Sequence, residues 1–237
     1  MPIHTWSEKE VKIPGSEGFL EARLGQHTQK QDEHQEGQSK SGFIMCHPHP
    51  LYSGTMDNKV VTTLVRGVSR LLTPCASEQF MTFDTLRFNF RGVGKSDGVH
   101  DYGKGEIDDL TAAVDYAKTE LGWERVYLAG FSFGAGIACL YAKNHPEGIS
   151  GLFLVAPAVH HFDAPSVMPF DFETYVYMGD SDEVVPFDEV EHWAALLTPQ
   201  PHFHIFENAS HFFHGRLIDL KNVFLEDFSS CVNESLD

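Results

Sequence analysis

From residue 43 onward, short apolar runs alternate with longer segments whose apolar residues recur every three or four positions. Runs of the first kind read as buried strands, and segments of the second kind as helices that bury one face. Strand candidates are residues 43–46, 83–90, 126–129, 152–156, 175–178 and 203–206. In 83–90, Leu86, Phe88 and Phe90 alternate with Arg87 and Asn89. Helix candidates run from Asp57 to Leu72, with Val60, Val61, Leu64, Val65 and Val68 on one face, and over 105–121, 135–142, 186–197 and 211–228. Pro186 suits a first helical turn. Upstream, Val11, Ile13, Leu20, Ala22 and Leu24 flank a Pro-Gly-Ser-Glu-Gly turn and predict a hairpin over 9–24. Residues 25–42 are polar and Gln-rich without period, and read as a mobile loop carrying His27 and His34. Residues 229–237 read as a polar tail.

This alternation predicts an α/β architecture: one domain over 1–237, with a mainly parallel sheet of about eight strands covered on both faces. Ligands of such sheets sit beyond the carboxyl ends of the strands. The informative segments are therefore 47–54, 91–98, Ser132, 156–162, 179–185 and 207–214.

Composition narrows the partners. The chain has 237 residues, 42% apolar and 22% charged, and a net charge of −17. That balance argues against nucleic acid or an anionic membrane as the main partner. Cys46, Cys75, Cys139 and Cys231 have no C-x-x-C spacing, and Cys46 and Cys139 read as small buried hydrophobes. No leader pattern and no membrane-length apolar run is visible, so a cytoplasmic location is expected.

The chemistry centres on Gly130-Phe131-Ser132-Phe133-Gly134, between an apolar strand and a helix of small residues. A serine on such a turn takes strained backbone angles, and flanking glycines let strand and helix cross closely. The turn lifts the Ser132 hydroxyl toward a base and aims the Phe133 amide at an attacked carbonyl oxygen. Five residues alone equally fit an idle junction serine. The segment after 175–178 offers Asp180 and Asp182, which alone would be turn residues. The segment after 203–206 offers His211. A serine hydroxyl needs a base, and the base a carboxylate that sets its tautomer. Three strand ends supply Ser132, an aspartate and His211 in the chain order Ser, Asp, His.

With these motifs in view, the chain resembles the α/β-hydrolase superfamily, in its compact dienelactone-hydrolase-like branch. The resemblance rests on His47-Pro48-His49-Pro50, Gly54-Thr55-Met56-Asp57-Asn58, the 86–94 segment, Gly130-Phe131-Ser132-Phe133-Gly134, Gly179-Asp180-Ser181-Asp182-Glu183-Val184 and the 211–217 segment. It implies an α/β-hydrolase fold without a separate cap domain, Ser132 as nucleophile, His211 as general base and Asp182, rather than Asp180, as the acid. The oxyanion site would combine the Phe133 amide with one from the loop after 43–46. Pro48 and Pro50 lack an N–H, leaving His49 or Leu51, with His49 preferred. A serine nucleophile points to a small-molecule acyl substrate, cleaved as an ester, thioester or amide through an acyl-enzyme and without a cofactor. Residues 157–172, carrying His160, His161, Phe162, Phe170 and Phe172, are expected to wall a small or open pocket, with Leu51, Tyr52 and Phe213 facing it. His214 is expected to be structural or pocket-lining.

Three rival readings are weaker. Gly94-Lys95-Ser96 follows a strand, but Asn89 stands where a phosphate loop needs glycine. Fourteen histidines invite a metal, yet His-Glu-x-x-His is absent and most fit core or surface roles. A non-catalytic binding protein on the same fold would not need all three groups of the constellation.

Overall fold

The computed structural model describes residues 5–28, 40–71, 73–74, 80–162 and 172–234. The chain opens with β1 (Thr5–Gly15) and β2 (Gly18–Thr28), then β3 (Ser41–Cys46) and α1 (Lys59–Val68). A small two-stranded ribbon, β4 (Thr73–Pro74) and β5 (Phe80–Met81), precedes β6 (Asp84–Phe88) and α2 (Lys104–Thr119). Then follow β7 (Arg125–Phe131), α3 (Phe133–Asn144), β8 (Gly151–Val155), β9 (Thr174–Gly179), α4 (Phe187–Leu196), β10 (His202–Phe206) and α5 (Leu217–Glu234).

Eight strands form one sheet in the order β1-β2-β6-β3-β7-β8-β9-β10. The β1–β2 and β2–β6 pairs are antiparallel, and every later pair is parallel. The central parallel strands are buried along their length, matching their near-continuous apolar sequence. Helix α1 packs with α5, and α2 with α3, so the sheet is covered on both sides. Among the described residues, no helix is long and apolar enough to cross a membrane.

Helix α5 shows why these residues fold as they do. Leu220, Phe224, Phe228, Cys231 and Val232 recur at helical spacing and are buried. Phe224 and Phe228 meet the Phe43 ring edge-on at 5.9 and 5.6 Å. The expected tail from 229 is therefore helix up to Glu234, because Cys231 and Val232 continue the buried stripe; residues 235–237 lie outside the described residues.

The expected loop over 25–42 also needs correction. Residues 25–28 continue β2, and 41–42 begin β3. Gly25 pairs with Glu8 on one side and Thr85 on the other. A side chain there would strike Thr85 Oγ1 and the Trp6 indole at 2.4 and 2.6 Å. Pairing with β1 throughout, joined by β6 at Gly25, rather than hydrophobic alternation, makes this stretch a strand. Residues 29–39 of the expected loop, with His34, lie outside the described residues, as do Leu72, Cys75 and Phe170.

Helix α1 and the last helix start later than expected, and α1 ends at Val68 rather than Leu72. Helix α1 starts at Lys59, where Asn58 Oδ1 accepts the Val60 N–H at 2.9 Å as an N-cap. The last helix starts at Leu217, not His211, because Phe213 (φ 52°) and Gly215 (φ 73°) are left-handed.

Candidate active site

Strands β7, β9 and β10 end on the same edge of the sheet, and their loops bring Ser132, Asp182 and His211 together. His211 Nε2 lies 3.0 Å from Ser132 Oγ. His211 Nδ1 lies 2.7 Å from Asp182 Oδ2. A carboxylate accepts only, so the Nδ1–H donates to Asp182 and Nε2 is left to accept the serine proton.

Each member is held by its element. Ser132 sits between β7 and α3 at φ 56°, ψ −117°, a conformation costing about 1–3 kcal/mol in a non-glycine residue. Its N–H donates to the Val155 carbonyl at 2.8 Å, and its own carbonyl accepts from Ala135, Gly136 and Ala158. A Cβ on Gly130 would stand 2.3 Å from the Gly134 backbone, and one on Gly134 would stand 2.5 Å from the His47 carbonyl. These two glycines let β7, α3 and the loop after β3 meet.

Asp182 Oδ1 accepts the Val184 and Val185 amides at 2.8 and 2.7 Å, which turns Oδ2 toward the imidazole. Asp180 instead takes the Asn208 amide at 2.6 Å and ties the β9 loop to the β10 loop. Glu183, which sequence reasoning passed over, accepts the His211 backbone N–H at 3.0 Å. Its only sequence signal is a second acid beside Asp182. The imidazole of His211 packs beside the rings of Phe131 and Phe212, each at 5.0 Å.

The loop after β3 carries the other expected groups. Phe133 is the first residue of α3, whose first-turn amides have no acceptor within the helix. The Leu51 amide donates to His49 Nδ1 at 3.2 Å and is thus engaged; the His49 ring lies 4.8 Å from that of Phe133. His47 is fully buried. Its Nδ1–H donates to the Pro48 carbonyl at 2.6 Å, and its Nε2 accepts the Phe90 N–H at 3.0 Å. Burial lowers His47 to about 4, keeping it neutral, so it acts as a fixed strut between β3 and the end of β6. Nothing in the motif indicated this, because Phe90 is 43 residues away.

The pocket expectations divide. Leu51 and Tyr52 are exposed on the rim. His160 is exposed beside His161, ring centroids 4.0 Å apart; partial burial and the His161 imidazole both lower it. Phe162 packs 5.5 Å from Phe133. Phe213, however, is fully buried edge-on against Phe206 and cannot line a pocket; its left-handed backbone turns it inward. Phe212 is the exposed ring of that pair. His214 is exposed, 5.9 Å from Phe212.

The residues behind the rival readings have structural partners. Arg91 is clamped by Asp109 through its backbone N–H and its guanidinium, and Ser96 Oγ donates to the Asn89 carbonyl at 2.7 Å. The 91–98 loop is thereby pinned to α2 and β6. His202 and His204 share one face of β10, stack on Tyr175 and Tyr177, and pair with Glu173 and Asp227. Among the described residues, no group of three or more His, Cys, Asp or Glu is arranged to hold a metal ion.

A strained serine between a parallel strand and a helix, bonded to a histidine that is in turn bonded to an aspartate, both from later strand ends, defines the class. The chain belongs to the α/β-hydrolase superfamily. A family model for the alpha/beta hydrolase fold matches residues 63–174. An α/β serine hydrolase homologue from Coxiella burnetii is 37% identical, covering 92% of this chain and 96% of its own, with a TM-score of 0.76. A lidless α/β serine hydrolase from Xanthomonas campestris is 30% identical over 93% of each chain, with a TM-score of 0.75. An uncharacterised protein of Rickettsia prowazekii is 30% identical over 96% of this chain and 88% of its own length. These relatives support hydrolase activity.

Proposed function

We propose that this chain is a serine hydrolase of the compact, dienelactone-hydrolase-like branch, cleaving a carboxylic ester of a small molecule in the cytoplasm. The observation that carries it is the relay in which His211 bridges Ser132 at 3.0 Å and Asp182 at 2.7 Å. Ser132 Oγ bonds to the substrate carbonyl carbon as its proton passes to His211 Nε2. Asp182 holds the imidazole tautomer and balances the imidazolium. The oxyanion is met by the Phe133 and His49 amides; the engagement of the Leu51 amide with His49 Nδ1 favours His49. The carbon–oxygen bond to the leaving group breaks, and that oxygen takes the proton from His211. Water, deprotonated by the same imidazole, releases the acid and regenerates Ser132. None of these steps requires a cofactor.

Labelling with a fluorophosphonate, followed by peptide mapping, tests the reading. The label is expected on Ser132 of the wild type and absent from His211→Ala. A folded wild type that takes no label on Ser132 overturns the reading and returns the fold to a binding role.

A further inference from the structure

Beside the Phe133 amide lies a cluster of rings with no part in the steps above. His49 stands 4.8 Å from the Phe133 ring, 5.1 Å from His100 and 5.0 Å from Tyr52. His100 lies 5.0 Å from Tyr102 and 5.7 Å from Phe133. Phe162 extends the group on the far side of Phe133. Tyr52 and Tyr102 are 82% and 79% exposed, and both rest their rings on buried or half-buried imidazoles. Leu51 and Val99, next to them, are exposed as well. Single exposed apolar residues are ordinary, but a contiguous group packed against the residue that follows Ser132 is a candidate place for a ligand.

A second observation marks the same place as a ligand site. The His100 side chain is only 7% exposed. Its Nδ1 lies 2.8 Å from Glu106 Oε1 but off a hydrogen-bonding angle, and its Nε2 has no partner among the described residues. Buried polar atoms are seldom left this way unless a group absent from the free protein completes them.

Charge decides the kind of guest. Burial lowers His49, and the His100 and His161 imidazoles lower it further, so its ring is neutral near pH 7. Glu106 lies fully buried behind His100, and the chain as a whole carries −17. An anionic guest would meet the neutral His49 imidazole and the Glu106 carboxylate beside His100. A flat uncharged ring would find ring faces and edges to pack on.

We propose that the exposed rings of Tyr52 and Tyr102, backed by His49, His100, Phe133 and Phe162, form the acyl subsite, and that it takes an uncharged planar aromatic acyl group. This rests on the serine hydrolase reading. There, the leaving oxygen must face His211 Nε2 and the oxyanion the Phe133 and His49 amides. The acyl substituent is the remaining group, and these rings border the oxyanion side.

The test compares p-nitrophenyl benzoate with p-nitrophenyl butyrate, which share a leaving group. The ratio of their kcat/KM values should favour benzoate. It should fall about 2- to 12-fold in Tyr52→Ala and in Tyr102→Ala, and recover in the Phe variants. Both tyrosines are too exposed for these changes to threaten the fold. An unchanged ratio in both Ala variants overturns the subsite. Fluorophosphonate labelling of Ser132 in the same preparations reports separately on the hydrolase reading. Binding of methyl benzoate to Ser132→Ala, weakened by adding Tyr52→Ala, reads the subsite without turnover; equal binding with and without Tyr52 overturns it.

Discussion

At the residue scale, the two carboxylates of one turn do different work because their amide partners differ. Asp182 spends Oδ1 on Val184 and Val185 and presents Oδ2 to His211, whereas Asp180 points to Asn208 on the neighbouring loop. In Asp182→Asn the amide can present an N–H to Nδ1, which stabilises the wrong imidazole tautomer. Ester turnover should drop by about 10⁴-fold with the thermal midpoint little changed, as for the corresponding change in a serine protease triad. Asp180→Asn should retain most activity, since its side-chain oxygen still accepts the Asn208 amide. Reversed results, read as kcat on p-nitrophenyl butyrate, would move the orienting role to Asp180. The choice of Asp182 was legible only through the family motif, because both residues satisfy turn chemistry equally well in the sequence.

At the element scale, the junction of β7 and α3 is a three-way contact rather than a strand–helix turn alone. Gly134 faces the His47 carbonyl, in the loop that also carries His49. Gly134→Ala would push a methyl group to 2.5 Å from that carbonyl and force the loop outward. Stability should fall by about 1–3 kcal/mol. Turnover should fall by roughly 100-fold, because small displacements of preorganised groups are costly. Urea melts and ester kinetics on the same preparation check both, and a variant with wild-type kinetics would separate this loop from the reaction. The need for small residues around Ser132 was visible in the sequence. Their second role, clearing space for the His47 carbonyl, was not, since it depends on the pairing of β3 with β7.

At the scale of the whole molecule, acid sensitivity follows from buried imidazole. In the unfolded chain His47 takes up a proton near 6.5, but in the fold only near 4. Between these values the unfolded chain binds more protons, so its contribution is complete above pH 6.5 and is lost as pH falls toward 4. The amount is on the order of 3 kcal/mol. The lowered His49 and His160 act in the same direction. Burial raises Asp109 and Asp227, which works in the opposite sense in the carboxylate range. Urea midpoints measured from pH 7 to 4 should decline, and His47→Gln should be less stable at pH 7 but decline less steeply. Parallel curves for the two proteins would remove His47 as the source.

The sequence by itself determined the order of strands and helices, the serine on its turn and the placing of candidate chemistry at strand ends. It could do so because periodicity and turn composition are local. Tertiary structure decided which atoms meet: that Phe212 rather than Phe213 faces outward, that Glu183 holds the His211 backbone, that residues 25–28 pair as strand, and that His47 braces β6. Each of these is set by a partner 28 or more residues away for Glu183 and His47, or by a left-handed backbone or pairing with a neighbouring strand for the others. Such constraints leave no trace in the hydrophobic pattern, because they come from satisfying polar groups and fitting volumes once the sheet has formed.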